Sequence, residues 1–144
     1  MRKQVLVTLL LLSGLFIAQP VIAGGFESGS ADKSIEANLL VGVNSDNEGL
    51  RISSAYYLGE LKSEKAVIPL MRMLRQEKVE AARIIAALSL IKIEDPQGLF
   101  MVKRTARFNE LERVRKMSGQ FYNAYLVQKY LEANPDKSDF LADL

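Results

Sequence analysis

A register of 32 residues runs through this chain and limits its folds more than any other feature. Sliding the sequence by that amount superimposes three segments. Leu50, Ala82 and Val114 coincide, as do Arg51, Arg83 and Arg115. Small residues coincide at Ser54, Ala86 and Ser118, and again at Ala55, Ala87 and Gly119. Large ones coincide at Leu58, Leu90 and Tyr122, then at Leu61, Ile93 and Tyr125. Within each copy the set that begins at Leu50, Ser54, Leu58 and Leu61 marks one face of an α-helix. These "B" helices are predicted at 48–61, 79–93 and 110–132.

The segments before them align as well. Ile35, Val67 and Leu99 match, and so do Ser34, Ala66 and Gly98. Val67, Leu70, Met71 and Leu74 follow the i, i+3, i+4, i+7 rule. "A" helices are therefore predicted at 34–44, 64–76 and 96–107. The first copy departs at Asn38 and Gly42, and the third has Lys103 where Met71 stands. End copies are expected to be atypical, because one side of each faces water. Ser63 is placed to cap a helix before Glu64. Asp95-Pro96 is an N-cap followed by proline at the first helical position, and Asn109 precedes the acidic start "ELER". Pro69 falls early enough to bend a helix mildly or be tolerated, not to break it. No hairpin dipeptide separates alternating runs, so strands have no support.

The stretch "LRISSAYYLGELKSEKAVIPLMRMLR" resembles the short form of HEAT repeats, the HEAT-like repeats also found in phycobilisome lyases. That family's "VR-x-x-A-x-x-L-G" block corresponds to Leu50-Arg51, Ser54-Ala55 and Leu58-Gly59. Its turn and "A-V-x-x-L" block correspond to Glu64-Lys65 and Ala66-Val67-Ile68-Pro69-Leu70. The resemblance covers roughly 34–126 and is closest in the middle copy; the third has Tyr122-Asn123 in place of Leu-Gly. It implies an all-α fold: a short α-solenoid, or α-α superhelix, of about three antiparallel helix hairpins. It implies a concave binding surface far more often than catalysis. Phycobilin attachment does not carry over, since in the family it belongs to much longer cytoplasmic arrays.

The N-terminus points out of the cytoplasm. Arg2 and Lys3 precede an apolar run from Val5 to Ala18, and Val21 and Ala23 suit the small-residue positions of a cleavage site. This order is a secretory signal peptide over 1–23, cut between Ala23 and Gly24; the run is short for a membrane span, although an uncleaved anchor is the competing reading. Residues 24–33, "GGFESGSADK", read as a flexible linker, 34–132 as the repeat domain and 133–144 as a C-terminal tail. The leader holds two of the 19 basic residues and none of the 17 acidic ones, so the mature chain is neutral and carries no global field for nucleic acid. The chain has no cysteine and no histidine, which removes disulfides, thiolate sites, the usual general base and the commonest metal ligand. No catalytic, cofactor-binding or metal-binding residue is expected, because the paired acids sit at helix starts and "GGFESGSAD" follows no strand.

Two surfaces remain as candidates. The second B helix, "VEAARIIAALSLIKI", is apolar on nearly every side and should be buried all round. In a stack its concave side would stay open. Ile84, Leu88 and Ile91, with Ile52, Tyr56 and Met117 on the helices beside it, then predict an apolar groove for a protein partner or for self-association. The tail, through Phe140, Leu141 and Leu144, or the linker, through Phe26, would cover it instead in a competing reading. Lys103, Arg104, Arg107, Arg113 and Lys116 gather around the last turn and would meet anionic lipid, polymer or an acidic surface; a solvated edge that keeps the last repeat soluble is the favoured explanation. Arg51, Arg83 and Arg115 are expected to pair with carboxylates or helix ends of the neighbouring repeat, not to grip a ligand. The expectation is a non-catalytic exported module, periplasmic or secreted, that binds protein through its B helices. The alternative is an envelope accessory that acts by charge, with peripheral membrane contact at most and no nucleic-acid role.

Overall fold

The computed structural model describes residues 28–137, with side-chain surroundings for 33–136. The leader, the Ala23–Gly24 bond, Phe26 and the tail residues Phe140, Leu141 and Leu144 lie outside the described residues. Among the described residues every regular element is helical: α1 (Ser28–Gly42), α2 (Glu48–Glu60), α3 (Val67–Gln76), α4 (Glu80–Ile93), α5 (Pro96–Phe108) and α6 (Glu112–Ala133). Short 3-10 turns at Glu64–Ala66 and Pro135–Lys137 complete the order.

Local chemistry sets most of the boundaries. Asn47 caps α2, its Oδ1 accepting from Leu50 N at 2.9 Å. Asp95 caps α5, its Oδ1 accepting from Gln97 N at 2.9 Å and Gly98 N at 3.1 Å, with Pro96 at the first position where no N–H is needed. Pro69 falls in the first turn of α3 and leaves that helix intact. Ser63 behaves differently from expectation. It precedes the 3-10 turn but makes no side-chain cap; its Oγ donates to Glu36 Oε1 of α1 at 2.6 Å, and Lys65 Nζ reaches Glu36 Oε2 at 2.6 Å. A carboxylate is the better acceptor, so the hydroxyl ties α1 down instead of capping its own turn.

The first helix begins at Ser28, inside the stretch read as a linker. Gly and Ser composition suggests a coil, but no proline interrupts the stretch. Once Leu39, Leu40 and Val43 join the core, extending the helix backwards costs much less than starting it. At its other end α1 needs Gly42, because a Cβ there would run into Ser54 Oγ on α2. Glycine at this apolar position is therefore a requirement of close helix approach. α6 begins at Glu112, later than expected, since Asn109 Oδ1 accepts from Leu111 N at 3.0 Å and keeps the chain in a turn.

The core has α4 at its centre. It packs against α2, α3, α5 and α6, while α1 lies on α2 and α5 lies on α6. Its Ala82, Ile84, Ala86, Ala87, Ser89, Leu90 and Ile93 are all buried, as an all-round apolar helix must be. Leu58, Leu70, Leu74, Val102 and Val114 close the core around it. Gly59 lets α2 come close enough for Ser89 Oγ to donate to the Ala55 carbonyl at 2.7 Å.

Candidate functional site

The outward side of the α2–α4–α6 layer carries the expected groove residues, with one correction. Ile84 is only 8% exposed and belongs to the core. Its neighbours close over it, so it offers a partner almost nothing. Ile52, Leu88, Ile91 and Met117 are half-buried, and Tyr56 is 37% exposed. Tyr56 and Leu88 occupy the same place in the register on successive helices, and Gln120 occupies it on α6. Met117 and Gln120 line an open hollow of about 630 Å³ together with Glu80, Leu111 and Lys116.

Tyr56 is not a bare aromatic. Its ring meets Tyr57 edge-on at 5.4 Å, and the Lys92 ammonium lies over it at 4.8 Å. Lys92 also pairs with Glu60, whose carboxylate interacts with the Tyr56 phenol. The Lys92 ammonium, with help from Tyr56, holds the Glu60 carboxyl below the ordinary carboxylate range. The Glu60 carboxylate in turn pushes the Tyr56 phenol up. Sequence reasoning missed this cluster. Its trace was there: Glu60 and Lys92 stand one register apart, at the same place on neighbouring helices.

The basic stretch does not converge as expected. Lys103 and Arg107 line one hollow with Tyr122, and Lys103 lies over the Tyr122 ring at 5.9 Å. Arg104 lines another, with Leu74, Phe108 and Glu110. Arg113 and Lys116 line a third, where Lys116 pairs with Glu112 at 2.7 Å. All five are exposed. The five basic side chains are thus divided among three hollows, two of which share Glu110, and do not line one common site.

The three arginines act as structural ties. Arg51 donates to the Ser45 and Asp46 carbonyls, each at 2.9 Å, and from Nε to Glu77 Oε2 at 2.9 Å. Arg83 donates to the Glu77 carbonyl and reaches Glu110 Oε1 at 2.8 Å. Arg115 donates to the Asn109 carbonyl at 2.9 Å. In each case the carbonyl belongs to the turn just before the arginine's own helix.

No group of metal-ligating side chains occurs among the described residues, and none of their helices is long and apolar enough to cross a membrane. The chain matches no protein-family model, and no curated protein matches it in sequence.

Proposed function

We propose that this chain is a non-catalytic interaction module, a short α-solenoid of three hairpins (α1–α2, α3–α4 and α5–α6) that binds protein through the outward faces of its B helices. Recurrent detail supports the solenoid reading. The arginine-to-turn hydrogen bond appears at Arg51, Arg83 and Arg115, each one register apart. Left-handed residues end the second and fourth helices at Lys62 (φ 50°) and Glu94 (φ 63°), again one register apart.

The observation that carries the functional reading is the row Tyr56–Leu88, continued by Met117 and Gln120. It crosses all three B helices and keeps large side chains partly uncovered. Aromatic and aliphatic anchors rimmed by charge, here Glu60, Lys92, Glu80 and Lys116, match the composition of protein-binding patches. The signal-peptide reading places this partner outside the cytoplasm. Dispersal of the basic side chains makes a charge-driven membrane role the weaker alternative.

A photo-crosslinking residue placed at Leu88 in the living cell tests the reading. It should give a discrete adduct that is lost in Tyr56→Ala. The same probe at Ile68, an exposed site on α3, should give none. Equal yields from both sites would remove the groove. Release of the protein from envelope fractions by salt alone would favour the charge reading instead.

A further inference from the structure

The two ends of the helix layer expose complementary faces, and the internal register states how they would fit. Ser89 of α4 sits hard against α2: a Cβ on Gly59 would lie 2.7 Å from Ser89 Cα. Ala82 and Ile93, on the same helical face as Ser89, are buried with it. Their counterparts one register earlier are Leu50, Tyr57 and Leu61 on α2, and these are 50%, 55% and 46% exposed. The face that α4 buries is thus, on α2, an open apolar stripe.

The receiving surface repeats too. Ala55 and Gly59 receive Ser89, and their counterparts on α6 are Gly119 and Asn123. Those two line an open hollow of about 550 Å³ with Lys103, Ala106, Tyr122 and Leu126. A Cβ on Gly119 would meet nothing closer than Ala106 Cβ at 3.8 Å. Terminal repeats of a stack normally show a polar outer side. Here one end presents an apolar stripe and the other a socket with room for a ring.

Charge repeats in the same way. Arg51 and Arg83 each reach a carboxylate on the turn that precedes the next B helix, Glu77 and Glu110. Among the described residues Arg115 has no such carboxylate and bonds only the Asn109 carbonyl. The counterpart of Glu110 in the first copy of the repeat is Asp46, whose side chain is exposed.

We propose that copies of this chain associate end to end, the outer face of α2 in one copy seating on the α5–α6 face of another. Tyr57 of the incoming copy enters the hollow beside Gly119, and Arg115 takes the partner's Asp46. The contact uses two different surfaces, so each association leaves one of each kind free and the series does not close at two. It adjoins the Tyr56–Leu88 row through the Tyr56–Tyr57 ring contact but does not depend on that row holding a partner.

Sedimentation velocity over a concentration series tests this, on protein purified in the form in which it accumulates in the cell. The wild type should show mass rising with concentration. Tyr57→Glu blocks one end and Gly119→Arg the other, and each alone should sediment at the mass of one chain with its helical circular dichroism intact. Mixed in equal amounts, the two should form a species of twice that mass and nothing larger, because each keeps the end the other lacks. Arg115→Glu should weaken self-association at least tenfold, and adding Asp46→Arg should restore it. Leu88→Lys should leave association unchanged. A wild type that stays monomeric at every concentration overturns the proposal; a hollow covered by residues 138–144 of its own chain would produce that result. A dimer that survives both end variants, or a mixture that stays monomeric, overturns it as well.

Discussion

Glu77 is held from two sides and ties Arg51 of α2 to Arg83 of α4 across the turn before α4. Its carboxylate accepts from Arg51 Nε at 2.9 Å and from the Lys78 N–H at 2.9 Å, while its carbonyl accepts from Arg83. Partial burial pushes the carboxyl up. The Arg51 guanidinium and the N–H groups of Lys78 and Val79 outweigh this, leaving it below its ordinary value of 4.5. The sign of the pH effect is then fixed. Between the folded and unfolded values the unfolded chain binds the extra proton, so the stabilisation is complete above 4.5 and fades as pH falls through the folded value. Glu77→Gln should therefore lower Tm near neutral pH, and its Tm should converge with that of the wild type as pH drops below 4.5 and through the folded value. Thermal melts of both proteins from pH 7 to pH 3 check this; a gap that stays constant would show that the titrating charge contributes nothing, and no gap at any pH would show that Glu77 acts through its carbonyl and packing alone. Arg51, by contrast with a surface ion pair, is part-buried and makes three hydrogen bonds, so its loss should matter more than the ordinary exposed pair.

Helix ends carry the next level of detail. α2 stops where Lys62 turns left-handed at φ 50°, a conformation that costs an L-residue with a Cβ about 1–2 kcal/mol. The Lys62 ammonium lies 3.7 Å from Glu94 and is largely exposed, so that pair offsets little. Lys62→Gly should raise stability by roughly 0.5–1 kcal/mol, read as a shift of the urea midpoint at unchanged slope. Three residues earlier the opposite change is forbidden: Gly59→Ala drives a Cβ into the Ser89 backbone and should cost on the order of 1–3 kcal/mol. A neutral Gly59→Ala would mean that α2 and α4 are not in this contact. Helix positions and the Asp95 cap were legible in the sequence because they rest on neighbours within a turn, as Asp95 and Pro96 do; the caps expected at Ser63 and Asn109 did not form. The start of α1 and the task of Ser63 were not legible, because both depend on α1 docking against residues far along the chain. Nor was the division of Lys103 and Arg107 from Arg113 and Lys116 between two hollows, which only the mutual setting of α5 and α6 decides. The burial of Ile84 shows the same limit: periodicity says which residues share a face, and only packing says whether that face is left open.

Across the whole molecule, stability should be uneven, and the arrangement of contacts says where. α4 is enclosed by four other helices and holds the most buried side chains. α1 rests chiefly on α2 and, among the described residues, is tied further by Glu36, whose bonds to Ser63 and Lys65 lie partly in solvent. The far part of α6 is held by Lys129, which bridges Glu94 at 2.7 Å and Glu132 at 2.9 Å and is itself partly exposed. Elements with few apolar contacts open locally long before the core does. Native-state hydrogen exchange should accordingly find the slowest amides in α4, at the free energy of global unfolding. Those of α1, and of α6 beyond Leu126, should exchange at least tenfold faster. Glu36→Ala should speed exchange in α1 further while leaving α4 unchanged, because that carboxylate acts at the edge and not in the core. Uniform protection from α1 through α6 would mean one cooperative unit, and the ties at Glu36 and Lys129 would then be incidental. A graded result would leave α1 as the first element to part from the others. End-to-end association would bury the outer stripe of α2, so it should slow exchange in α2.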